Sequence, residues 1–367
     1  MKKRISILAC LCLLAALCAC GRGSGLDTLN LVSEYTRDLE GATLNVCNWG
    51  EYISDGSDNS LKVVQAFTEL TGIKVNYDFF DTNETLYSKM AGGGVHYDVI
   101  FPSDYLIQRL IAEDRLEQLD FGQIPNFQYI PEEYRNLYFD PQGLYSVPYT
   151  VGTTGLIYNA KLVHSPPDSW AAMWDPAYAG QVLQFASPRD AFGVAQFLLG
   201  QDPNATDEAG WRATADKLKE QAPLVQAYVT DDIYGIMEGE NAIMGPYYAG
   251  DFVLMNESNP DLAFCLPKEG VNFFYDSVCV PKGTKNLGAA MLFINFLLEP
   301  DVALANAEQI VYASPHTAVR NNPDYSLMDN PVLYPDPASL PPVFNYKNLP
   351  QDILTLMNNL WTEVKIK

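Results

Sequence analysis

Of the 367 residues, 48% are hydrophobic, 12% aromatic and only 19% charged, a composition that supports buried cores and excludes a disordered or fibrous chain. The 45 acids and 23 bases give a formal charge of −22, which repels phosphate backbones, so no nucleic acid is expected as a partner. The same field raises the local concentration of cationic ligands.

In chain order, Lys2, Lys3 and Arg4 precede an apolar run over 5–17 that is too short to span a bilayer. Leu17-Cys18-Ala19-Cys20 closes it. Residues 1–20 therefore predict an export signal, and their ending resembles a bacterial lipobox with Cys20 as the lipidated first residue of the mature chain. Cys18 departs from the usual Ala or Ser at its position. With no second apolar run of spanning length, the mature chain, of net charge −25, is expected on the outer face of the cytoplasmic membrane, held by acyl chains. If the host has an outer membrane, that location is periplasmic. Residues 21–40 begin Gly-Arg-Gly-Ser-Gly and read as a flexible tether, with Leu29, Val32, Tyr35 and Leu39 spaced as one face of a short helix. Beyond the signal only Cys47, Cys265 and Cys279 remain. Each sits in a strand-like apolar setting and reads as a buried free thiol. His96, His164 and His316 are far apart, so neither a metal site nor a catalytic triad has local support, and no cofactor is implied.

The globular pattern starts at Thr43. It predicts a strand over 43–47, a helix over 61–70 stopped by Gly72, and a strand over 73–79. A strand over 97–101, a helix over 106–112 and a long extended segment over 145–158 follow. A second cycle follows: strands at 181–186, 242–246 and 262–266, helices at 191–199 and 211–221, then an apolar helix over 288–298 and a final helix over 349–364. Alternating elements predict an α/β fold, and the length fits two lobes. Trp170 and Trp174, four apart, read as packing.

Several stretches carry a resemblance when taken together. Asn48-Trp49-Gly50-Glu51-Tyr52, Thr82-Asn83-Glu84-Thr85, Tyr97-Asp98-Val99-Ile100-Phe101-Pro102-Ser103-Asp104-Tyr105 and Ser146-Val147-Pro148-Tyr149 stand in the first half. Met237-Glu238-Gly239-Glu240, Pro267-Lys268-Glu269-Gly270, Asp276-Ser277 and Glu299-Pro300-Asp301-Val302-Ala303 follow. In order and spacing they resemble bacterial spermidine/putrescine-binding proteins, over about residues 41–367. The resemblance implies a two-lobed fold of the type II periplasmic-binding-protein kind. Its hinge segments would cross near 152–157, 270–275 and 321–326. Lobe 1 would be 41–153 with 274–320, and lobe 2 would be 154–273 with 321–367. It further implies a non-enzymatic, monomeric component of an ABC importer that captures putrescine or spermidine between its lobes and hands it to the permease.

A polyamine needs carboxylates at defined separations with aromatic walls between them, because ammonium groups favour aromatic faces. Carried over residue by residue, the resemblance places Trp49, Tyr52, Ser103 and Tyr105 on the lobe 1 wall, with Glu51 at the rim. Asp276 becomes the main amine carboxylate, and Phe274 stands where a tryptophan is usual. Asp190 takes a terminal ammonium, Tyr247 stands where a tryptophan is common, and Tyr312 and Thr230 are further contacts. Ser187 stands where spermidine binders carry a second acid, and Lys347 lies in a stretch where the family offers a glutamine. Both departures point to fewer ligand charges and hence a short diamine, with Asp251 as a possible compensating acid. Trp49 and Tyr105 also stand out without the resemblance, since both follow the C-terminal ends of predicted parallel strands, where α/β folds collect ligands. The competing readings are a binder of thiamine or a sugar, a sensor using the same cleft, and an exported glycoside hydrolase with paired carboxylates.

Overall fold

In the computed structural model, residues 23–94 and 96–366 are described; the export signal and Cys20 lie outside them. β1 (Thr43–Trp49) and β2 (Lys74–Phe80) run parallel, with Thr43 opposite Lys74 and Trp49 opposite Phe80. Parallel strands require a crossover. The helix Val63–Thr71 supplies it, burying Val63, Ala66 and Phe67 at helical spacing and ending at Gly72 with φ 75°, a left-handed cap that favours glycine. β3 (Val99–Ile100) pairs with the other side of β1. It is shorter than the predicted 97–101, because the Asp98 carboxylate accepts from Asn45 N at 2.8 Å and diverts that amide from the ladder.

The remaining strands are β4 (Ser146–Asn159), β5 (Val182–Phe185), β6 (Val225–Val229), β7 (Met244–Tyr248), β8 (Leu262–Cys265), β9 (Val271–Cys279) and β10 (Val343–Phe344). The sheet order is β2-β1-β3-β9-β4-β7-β5-β6, with β10 beside β9 and β8 beside β4. β4 changes partners without a break. From Ser146 to Thr153 it lies antiparallel to β9, with an irregularity between Pro148 and Thr150, where proline lacks the ladder N–H. From Thr154 it pairs with β7, and from Leu156 also with β8. Two cores flank this crossing: Phe67, Phe101, Phe293 and Phe296 anchor one, and Phe185, Phe192, Trp170 and Trp211 the other. Trp170 and Trp174 pack as expected, their indole N–H groups donating to Gly270 O and Lys217 O at 2.8 and 2.9 Å. Cys47 and Cys279 are buried and Cys265 half-buried, all free.

The described part of the tether differs from expectation. Residues 24–37 form a strap laid on the first core, with Leu26, Leu29, Leu31 and Tyr35 packed against it. The strap carries only the short turn Leu26–Thr28 and no helix presenting Leu29, Val32, Tyr35 and Leu39. Its backbone is satisfied by distant acids instead. The fully buried Glu299 accepts from Val32 N, Ser33 N, Tyr35 Oη and Asn126 Nδ2, at 2.7, 3.1, 2.8 and 2.8 Å. Asp301 accepts from Asn30 N at 2.7 Å. The helices Asn83–Ala91, Ala249–Ser258 and Pro300–Ile310 also escape the sequence pattern. The first is opened by Thr82, whose side chain accepts from Thr85 N, and the last by a proline in its first turn, signals set by capping rather than by apolar period.

Candidate functional site

Loops at the C-terminal ends of the parallel strands converge from both sides. Trp49 to Tyr52 follow β1, Phe80 to Asn83 follow β2, and Ser103 to Tyr105 follow β3. Across from them, Ser187 and Asp190 follow β5, Thr230 and Asp231 follow β6, and Tyr248 to Asp251 follow β7. Such a convergence is where open α/β sheets bind ligands. The cleft between them, counted out to its open mouth, encloses about 860 Å³.

Asp276, on β9, sits on the floor at 4% exposure. Tyr52 Oη donates to its Oδ2 at 2.8 Å and Ser103 Oγ to its Oδ1 at 2.6 Å. Asn83 fixes Ser103, accepting from Ser103 N at 3.1 Å and donating to Ser103 Oγ at 3.0 Å. Burial pushes the Asp276 carboxyl up to about 6, against the lowering effect of these hydroxyls. Four further carboxylates belong to first turns of helices, Glu84, Asp104, Asp190 and Asp251, where the helix dipole favours negative charge. Tyr248 Oη donates to Asp190 at 3.1 Å, Tyr234 Oη to Asp251 at 2.8 Å, and Tyr312 Oη also to Asp251. Burial raises Asp190 and Glu84, and pushes Asp251 to about 6 and Asp104 to about 7. Each of these carboxylates is held above its ordinary range by lost solvation, so a cation that restores a counter-charge is strongly favoured there.

None of the residues lining the cleft is Lys or Arg. Arg189, beside Asp190, turns into the lobe, donating to Pro203 O and Asn204 Oδ1 at 2.8 Å each and lying 4.3 Å over the Tyr346 ring. Aromatic rings form the walls. Trp49 packs on Phe80 at 4.3 Å, Tyr248 on Phe274 at 5.5 Å, and Tyr52 on Tyr312 at 5.3 Å. Two glycines make room for them: a Cβ on Gly152 would stand 2.6 Å from the Phe274 ring, and one on Gly193 would stand 1.8 Å from Tyr346 Oη. Among the described residues no group of three His, Cys, Asp or Glu is placed to hold a metal ion.

The model of the bacterial extracellular solute-binding protein family matches residues 62–332. The chain belongs to that family. This solute-binding protein is 34% identical to the spermidine/putrescine-binding periplasmic protein of Salmonella typhimurium, over 86% of the present chain and 89% of the relative. It is 28% identical to the putrescine-binding periplasmic protein PotF of Escherichia coli K12, over 93% and 97%. Among solved structures it is similar to a putative spermidine/putrescine ABC transporter protein of Listeria monocytogenes, with TM-score 0.84 and 35% identity over 89% and 99% of the two chains. The substrate-binding protein PotD of a Streptococcus pneumoniae spermidine/putrescine ABC transporter aligns with TM-score 0.73 and 32% identity, again over 89% and 99%. These relatives are substrate-binding proteins rather than enzymes, which sets aside the glycoside hydrolase.

Of the site residues named from the sequence, Trp49, Tyr52, Ser103, Tyr105, Ser187, Asp190, Thr230, Tyr247, Phe274, Asp276 and Tyr312 all line the cleft of this solute-binding protein. Glu51 does not. It sits in left-handed backbone at φ 53° and is exposed at the turn after β1, as a rim position requires, within electrostatic reach of Tyr234 on the opposite side. Lys347 is likewise exposed and outside the lining, while its neighbour Tyr346 takes the wall position. Lys347 therefore gives no argument for fewer ligand charges, and of the two departures only Ser187 remains, where the side chain caps a helix by accepting from Asp190 N at 3.4 Å. Sequence reasoning missed Tyr248, Asp231, Asn272 and Tyr346. Tyr248 and Asp231 carried a usable signal, an aromatic or acid directly after a strand, whereas Tyr346 is placed by packing on Gly193.

Proposed function

We propose that the protein captures a polyamine, putrescine or spermidine, between its lobes and delivers it to the permease subunits of an ABC importer. One observation carries this reading: a cleft walled by tyrosine, tryptophan and phenylalanine presents buried carboxylates from both sides and no cation of its own. Asp276 and Asp190 take the ammonium groups, with Asp251 as a further counter-charge. The rings of Trp49, Tyr105, Tyr247, Phe274 and Tyr312 line the methylene path, each cation-to-ring contact contributing about 0.5–2 kcal/mol. The lobes, 41–153 with 274–320 and 154–273 with 321–367, close over the ligand about the β4 and β9 crossing. Export and lipidation at Cys20, supported by the basic start and the Leu-x-Ala-Cys ending, hold a monomer at the outer face of the membrane. Among the described residues no single helix is long and apolar enough to cross it.

Isothermal titration of the mature chain against putrescine, cadaverine, spermidine and spermine tests the reading. Saturable one-to-one binding supports it, with the ranking giving the preferred length. No heat with any of the four would contradict it and bring the thiamine and sugar readings forward. Replacing Cys20 by Ala should release the protein from membranes while binding persists.

A further inference from the structure

Behind the cleft floor lies a second chamber of about 350 Å³ counted out to its opening, lined by Thr150, Leu298, Asn306, Ile310, Tyr312 and His316 among others. Most of its wall is apolar, yet two of its side chains, each 2% exposed, carry a polar atom without a partner among the described residues: Asn306 Nδ2 and His316 Nδ1. Their other polar atoms are committed. Asn306 Oδ1 accepts from Ser54 N at 2.9 Å, and His316 Nε2 lies 3.1 Å from Leu298 O. A carbonyl only accepts, so Nε2 carries the proton and Nδ1 presents a lone pair. Burial pushes His316 down to about 4, keeping the ring neutral at pH 7 against the opposing influence of Glu299. The chamber thus offers one unused donor and one unused acceptor, a pairing that suits water and neither a cation nor an anion.

Thr150 connects the chamber to the cleft. Tyr52 Oη gives its single proton to Asp276 Oδ2 and stands 2.6 Å from Thr150 Oγ1, so in that contact Thr150 donates and Tyr52 accepts. The Thr150 oxygen keeps a lone pair, and Thr150 lines the chamber.

We propose that the chamber is a permanent buried water site: water accepts from Asn306 Nδ2, donates to His316 Nδ1, and donates to Thr150 Oγ1, starting a donor chain that runs Thr150 to Tyr52 to Asp276. Buried polar groups are rarely left unsatisfied, and a water needs only about two to four polar partners to be held, which the unused atoms of Asn306, His316 and Thr150 supply within an otherwise apolar wall. Hydrogen bonds aligned head to tail strengthen one another, so the water supports the negative charge of Asp276 from behind. Asp276 also feels Asp190, Asp104 and the hydroxyls of Ser103, Tyr52 and Thr150, the last acting on it directly as well as through Tyr52. The inference rests on the amine-binding reading only for the purpose of that charge.

Two measurements test it without any polyamine. In a high-resolution crystal structure of the mature chain under xenon pressure, water within hydrogen-bond distance of both Asn306 Nδ2 and His316 Nδ1 is expected. Xenon in the chamber, or no water there, would overturn the proposal. Carboxyl carbon NMR of Asp276 in the wild type, Asn306→Leu and His316→Phe, which each remove one anchor of the water without touching Asp276, should show its midpoint moving up by about 0.5 pH unit in both variants, a threefold change in proton affinity. An unmoved midpoint would remove the link to Asp276. If Asn306→Leu does not fold, His316→Phe, which removes the acceptor that holds the water, still decides the link. A protein that shows the water and the shifted midpoint yet binds no polyamine would overturn the functional reading and leave the water site standing.

Discussion

At the scale of single residues, the cleft carboxylates trade stability for binding. Asp276 has an ordinary value of 3.8 and is pushed up to about 6, so between those values the folded state binds more protons than the unfolded one. Stability of the ligand-free protein therefore rises as pH falls through that window, by an amount on the order of 3 kcal/mol from this group alone. Binding runs the other way, because an ammonium ligand stays charged while the carboxylate must be ionised. Polyamine affinity should be flat above about pH 7 and fall by about tenfold per pH unit below 6. Titrations at pH 7.5, 6 and 5 check this, and an affinity independent of pH would show that no raised carboxylate contacts the ligand. At Gly193, Ala would place a Cβ against Tyr346. That change is expected to cost about 1–3 kcal/mol of stability and to weaken binding by displacing a wall ring, measured by thermal melts and calorimetry together.

At the scale of elements, the strap 24–37 behaves as part of the first core. Glu299 opens the helix Pro300–Ile310 and accepts four hydrogen bonds from the strap and Asn126, with no salt bridge among the described residues. Replacing Glu299 by Ala would strand the buried Asn126 amide and the half-buried Ser33 and Tyr35 donors and is expected to cost about 2 kcal/mol. Denaturant unfolding reads the cost, and amide exchange at Val32 and Ser33 should accelerate selectively. Unchanged exchange there would mean that the carboxylate does not hold the strap. The sequence concealed this element because its anchor lies more than 260 residues away, and a Gly-rich start with polar neighbours looks the same whether or not a distant acid receives it.

Across the whole molecule, most strands and the core helices were legible, since each buries a face whose apolar spacing is visible locally. The order in which the strands assemble was not, because β4 changes partners at Thr154 within one extended run. The site was legible in proportion to how closely its residues follow strand ends or family motifs. Trp49, Ser103, Tyr105, Asp190 and Asp276 qualify, whereas Tyr346 reaches the cleft through packing that composition does not reveal. A ligand touching both halves should draw them together. Small-angle scattering with and without saturating putrescine is expected to show a smaller radius of gyration in the bound form, and equal radii would contradict closure on that ligand.

In the proposed function, buried carboxylates, Asp276 foremost, give the cleft its affinity for amines. Calorimetric titration of putrescine into the wild type and Asp276→Asn at pH 7.5 tests it most directly. Saturable wild-type binding and at least a hundredfold loss in the variant are expected, since an ammonium would be buried without its counter-charge. The melting temperature of the free variant should rise by roughly a few degrees, because a desolvated charge is gone. Equal affinities in the two proteins would contradict the account.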